Sequence, residues 1–110
     1  MMFSRYIATG DPSAKKNKYP PIKVNMSNYE AFNTVVNYLN KNGYENIKAN
    51  VDYYDVFATK GLQEISILVA NYMSSSYIQI SVYSEKKFTG VKKTFKTIYL
   101  DLEVLLENFI

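Results

Sequence analysis

Tyr77-Ile78-Gln79-Ile80-Ser81-Val82-Tyr83 alternates without a break, with Ile78, Ile80 and Val82 on one side and Tyr77, Gln79, Ser81 and Tyr83 on the other. Period two is the spacing of a β-strand that buries one face. The preceding run, Leu62 to Tyr72, repeats the pattern: Ile65, Ile67 and Val69 lie on one face, and Glu64, Ser66, Leu68, Ala70 and Tyr72 on the opposite one. Met73 to Ser75 is short enough to turn one run back onto the other. A hairpin with a branched aliphatic face follows, and that face needs a cover.

Outward from this hairpin, the chain offers two more runs with strand character. Asn50 to Thr59 alternates imperfectly, and Lys60-Gly61 reads as the tight turn that joins it to Leu62. Past the turn residues Glu85 to Gly90, Val91 to Leu100 sets Thr94, Lys96 and Ile98 against Lys93, Phe95, Thr97 and Tyr99. Its β-branched and aromatic content suits a fourth strand.

The cover is supplied by two helices. Ser27-Asn28-Tyr29-Glu30 is a capping box, in which the serine hydroxyl accepts from the backbone three residues on. Phe32, Val35, Val36 and Leu39 then recur at i, i+3, i+4 and i+7, while Asn33, Asn37, Asn40 and Lys41 face away. Each stripe residue contributes about 1.5 to 3 kcal/mol on burial, so the stripe must find a surface. Asn42-Gly43 closes the helix, glycine being free to take the left-handed conformation. At the carboxyl end, Asp101 reads as the cap of a second helix whose Leu102, Leu105, Leu106 and Phe109 repeat the spacing.

The expected fold class is α+β: one two-layer domain over residues 25–110, a helix, a four-stranded mostly antiparallel sheet and a carboxyl-terminal helix, with both helices on one sheet face. Residues 1–24 form an irregular basic arm with room for a short strand, its Thr9-Gly10-Asp11-Pro12-Ser13 a turn signal and its Tyr19-Pro20-Pro21 extended. Tyr19, Ile22 and Val24 could anchor the arm on the body.

Composition narrows the chemistry. The 110 residues contain no histidine, cysteine or tryptophan but 11 tyrosines. Histidine is the commonest general base and metal ligand, and cysteine the strongest nucleophile at neutral pH. Their absence removes most enzyme mechanisms, no spacing of the remaining Asp, Glu, Lys, Ser, Thr and Tyr matches a catalytic motif, and neither cofactor nor metal is expected. Asp52 and Asp55 form the densest acidic cluster, yet residues three apart on a strand point to opposite faces. The glycines at 10, 43, 61 and 90 are isolated turn residues with no phosphate-cradling loop among them. No run is apolar and long enough to span a membrane, no signal-peptide layout opens the chain, and cysteine is absent; the expectation is a soluble cytoplasmic protein. The Lys, Asn, Ile and Tyr bias suits an AT-rich genome, such as that of a phage or mobile element.

Two surfaces remain as candidates. Opposite the aliphatic face, Leu68, Tyr72, Tyr77 and Tyr83 would stand exposed together, a patch for a protein partner or for a second copy of the chain. The plainer reading is a half-buried tyrosine face packed for its own sake. Lys86, Lys87, Lys92, Lys93 and Lys96 form a block without an acid between residues 86 and 100. On a hairpin beside tyrosines it could hold a nucleic acid through phosphates and stacked bases; more plainly, lysines on an edge prevent strand-to-strand aggregation. The single arginine argues against sequence-specific reading.

The order helix, antiparallel strands, helix matches double-stranded RNA-binding domains in outline. The lysine cluster of their last helix has no counterpart in a helix that opens Asp101-Leu102-Glu103, and the aromatic motifs of RNA-recognition domains are absent. The function expected is that of a small non-enzymatic protein-binding or inhibitor module, with nucleic-acid binding as the alternative.

Overall fold

The computed structural model describes residues 6–10, 19–72, 75–85 and 90–107, with the side chain of Tyr72 excepted. In chain order the elements are β1 (Tyr6–Ala8), β2 (Ile22–Val24), α1 (Asn28–Lys41), β3 (Glu45–Asn50), β4 (Asp55–Lys60), β5 (Gln63–Tyr72), β6 (Ser75–Ser84) and α2 (Val91–Leu105). The strands make one antiparallel sheet in the order β1-β6-β5-β4-β3, with β2 also paired to β6. The domain is α+β as expected, but its sheet has six strands, not four.

The β5–β6 ladder is the centre of the fold, ten residues against ten, running from Gln63↔Ser84 to Tyr72↔Ser75. Its inner face holds Ile65, Ile67, Val69, Ile78, Ile80 and Val82, all buried. Lys60 pairs with Gln63 across a two-residue turn in which Gly61 takes φ +59°, a conformation that costs other residues a Cβ clash.

Ser27 caps α1 as its sequence indicates, accepting a 3.1 Å hydrogen bond from the Glu30 amide. Phe32, Val35 and Leu39 are buried with Ala31 and Tyr38, whereas Val36 is only half-buried. The helix stops at Asn42, and Gly43 follows with φ +76°. α1 lies over β5, β3 and β4; α2 lies over β6 and β1. Their apolar residues join the inner sheet face in one core, so both helices occupy the same layer.

The largest departure from the sequence reading is at 91–105. Val91 to Leu100 is not a strand, and Asp101 caps nothing: the helix starts at Gly90 and Asp101 sits inside it. Val91, Thr94, Phe95, Ile98, Tyr99, Leu102 and Leu106 are buried, a helical spacing throughout. Period two and period 3.6 compete over this stretch, and the need to cover Ile78, Ile80 and Val82 on β6 decides for the helix. Leu105, placed by sequence on the buried stripe, is 49% exposed; Phe109 lies outside the described residues. Asp101 instead ties the helices together, its Oδ2 accepting from the Tyr38 hydroxyl at 2.6 Å.

Residues 1–24, read as an arm with room for one short strand, supply two, and β3 is new relative to the sequence reading. β1 and β2 lie end to end on the free edge of β6, Ile7 and Tyr19 packing on the core and Ile22 and Val24 buried in it. β3 pairs with β4 through an irregular register, with Asn46 at φ +53° and its side-chain Nδ2 donating to Thr59 Oγ1 at 2.8 Å. The run from Asn50 is therefore a turn over residues 51–54, and β4 begins only at Asp55. Among the described residues no helix is long and apolar enough to cross a membrane.

Candidate functional site

With both helices on the inner face, no described element covers the outer face of the sheet. Register places its residues in rows: Glu64 pairs with Tyr83 and Tyr83 with Tyr6; Phe57 pairs with Ser66, Ser66 with Ser81 and Ser81 with Ala8. Leu68 pairs with Gln79; Ala70 pairs with Tyr77, and Tyr77 with Lys23.

Small side chains in the row Ser66, Ser81 and Ala8 leave a hollow of about 490 Å³, walled by Tyr6, Leu68 and Gln79. Its rim is shaped by the point where β1 leaves the sheet. The Thr9 amide still donates to the Ile80 carbonyl at 3.0 Å, but the Gly10 amide turns to the Tyr19 carbonyl at 2.9 Å. Charge on this face is mixed, with Lys23 and Lys48 against Glu45, Asp55 and Glu64 in the same rows. The hollow itself is lined by uncharged residues and is partly apolar.

The structure places Leu68, Tyr77 and Tyr83 on this face, but not as one tyrosine cluster. Tyr77 and Tyr83 are six residues apart on β6, roughly 20 Å at the usual rise per residue, and the hollow lies between their rows. Tyr83 is instead paired with Tyr6, which is 60% exposed. Sequence reasoning missed Tyr6 because only the long-range pairing of β1 with β6 brings it there. Tyr72 pairs with Ser75 in backbone register.

Several other tyrosines are structural. Tyr19 meets Phe95 and Tyr99 edge-on, both at 5.3 Å between ring centres, and the Tyr99 hydroxyl donates to the Pro20 carbonyl. Burial pushes the Tyr99 hydroxyl up to about 12, with Glu103 and Tyr19 adding to the effect. Burial and the bond to Asp101 raise Tyr38 too, and burial raises Tyr44.

A group that holds its proton more tightly when folded contributes stability below its unfolded value of 10 and loses it as pH rises from there through about 12. Melting temperature should therefore fall steeply between pH 10 and about 12, and Tyr99→Phe should reduce that fall while lowering the melting temperature at pH 8 through its lost hydrogen bond. An alkaline melting profile identical in the wild type and Tyr99→Phe would refute the assignment.

The lysine block is not a hairpin. Lys92, Lys93 and Lys96 lie in the first two turns of α2, and Lys86 and Lys87 are outside the described residues. The three lysines stand in the helical layer, while Tyr77 and Tyr83 stand on the opposite face of the sheet. One flat surface cannot combine phosphate contacts to the lysines with bases stacked on those tyrosines. The last helix does, however, open with lysines, contrary to the reading that began it at Asp101.

Asp52 lies in the 51–54 turn, its amide donating to Asn50 Oδ1 at 3.1 Å. Among the described residues no group of three or more acidic, histidine or cysteine side chains could hold a metal ion. Comparison of the chain with known proteins finds no matching family model, no matching curated protein and no matching solved structure.

Proposed function

We propose that this protein is a non-enzymatic binding module that takes a protein partner on the uncovered face of its sheet. The observation that carries the reading is the one-sided architecture: all helical cover among the described residues lies on the inner face, and the outer face offers an uncharged hollow bordered by Leu68, Gln79 and Tyr6, with Tyr83 paired to Tyr6. Exposed tyrosine beside serine and glutamine suits protein contacts, since tyrosine brings apolar area and a hydrogen-bonding tip at low entropic cost.

Capture on the tagged protein from nuclease-treated host extract tests this. Ser66→Arg with Ser81→Arg, which fills the hollow, should abolish capture of a partner that the wild type retains, at unchanged melting temperature. Retention of the same partner by the folded double variant would refute the reading.

Nucleic-acid binding is the second reading, favoured by one observation: Lys92, Lys93 and Lys96 cluster in the first turns of α2, whose N-cap Gly90 offers no side-chain cap. The same capture without nuclease separates it, because a nucleic-acid partner would survive the Ser66 and Ser81 changes and be lost on Lys92→Glu with Lys93→Glu.

A further inference from the structure

The solvent face of α2 carries its charges in the wrong order for a lone helix. Lysines occupy its positive amino end, with no acid in the first turn, and its last turn holds no base. Anions are favoured at a helix amino end and cations at the carboxyl end, so this arrangement opposes the helix dipole at both ends. Lys92 and Lys96 are also four residues apart on the helix, and like charges at that spacing repel. Between the two blocks stand Leu100 and Val104, 56% and 67% exposed.

Lys93, Thr97, Leu100 and Val104 follow a spacing of four and three, which keeps them on one line along a helix that meets another helix, and Glu107 lies just past the C-cap Leu106. The buried residues Phe95, Ile98 and Leu102 occupy the opposite side. A line that is basic at one end, apolar in the middle and acidic at the other complements itself when turned end for end.

We propose that α2 pairs antiparallel with α2 of a second copy of this chain. With a two-fold axis at Leu100, Lys93 of each copy lies across from Glu107 of the other and Lys96 beside Glu103. Leu100 and Val104 fill the middle. Each helix then places its acidic end against the lysine-bearing amino end of the other, and the two dipoles run in opposition. Glu103 and Glu107 on the same face as the lysines favour a second copy over a polyanion, which they would repel. The pairing goes beyond the proposed function and leaves the outer sheet face free, so either can fail without the other.

Two charge reversals test it in the full chain by sedimentation velocity, at low salt and about 100 µM protein, a concentration suited to a small interface. The wild type should sediment as a dimer. Lys93→Glu with Lys96→Glu should weaken it at least about tenfold, and so should Glu103→Lys with Glu107→Lys, because each places like charges across the axis. An equimolar mixture of the two variants should restore the dimer, as all-acidic and all-basic helices now match. Lys93 and Glu107 are exposed and Lys96 and Glu103 partly so, and unchanged circular dichroism confirms the fold of each variant.

A wild type that remains monomeric overturns the proposal, as does a dimer that survives both reversals, which would place self-association elsewhere. A monomer that binds mixed-sequence RNA through Lys93 and Lys96 assigns the face to a polyanion and overturns it too.

Discussion

Phe95→Ala should cost about 3 to 5 kcal/mol of folding stability, the range for removing a buried aromatic ring from a packed core. Phe95 is fully buried, stacks with Tyr99 at 5.8 Å and receives the edge of Tyr19. The loss combines transfer of the ring to water with the cavity left behind, and Tyr19 and Tyr99 are held by other contacts and cannot collapse into it. Leu105→Ala should cost well under about 1 kcal/mol, the usual size for an exposed position. Chemical denaturation of both variants measures the difference. A large loss at Leu105 with a small one at Phe95 would restore the register in which the helix starts at Asp101.

Thr97→Pro should cost about 3 kcal/mol or more, although the Thr97 side chain is exposed. Proline there removes an amide from the interior of α2 and drives its ring into the carbonyl one turn earlier. Lys92→Pro, in the first turn, removes an amide with no partner inside the helix and should cost less than about 1 kcal/mol. Equal effects at the two positions would contradict a helix running from Val91 to Leu105.

What was legible in the sequence follows from how strongly each stretch commits to one period. Ile65, Ile67, Ile78, Ile80 and Val82 alternate over two long runs, and the inner face could be read directly. α1 carried both a capping box and an apolar stripe. Leu68, Tyr77 and Tyr83 followed from the same alternation, since whatever is not on the inner face is on the outer one.

Val91 to Leu100 was not legible, because β-branched and aromatic residues fill both of its possible periods. The deciding term is the uncovered stretch of β6, which is tertiary. β1 and β2 have three residues each, too few to show a period, and exist as strands through pairing with β6. β3 is polar, exposed and interrupted at Asn46, so no pattern marks it. The hollow was invisible for the same reason as β1: Ser66 and Ser81 are near in the hairpin, but Ala8 and Tyr6 join them from 58 to 75 residues away along the chain.

The partner's position on the sheet tests the account most directly. In methyl-labelled protein titrated with the captured partner, the methyl groups of Ala8, Leu68 and Ala70 on the outer face should shift. Those of Leu100 and Val104, on the far layer, should not move. Shifts confined to Leu100 and Val104, with Leu68 and Ala8 unchanged, would contradict the central claim that the uncovered sheet face is the working surface.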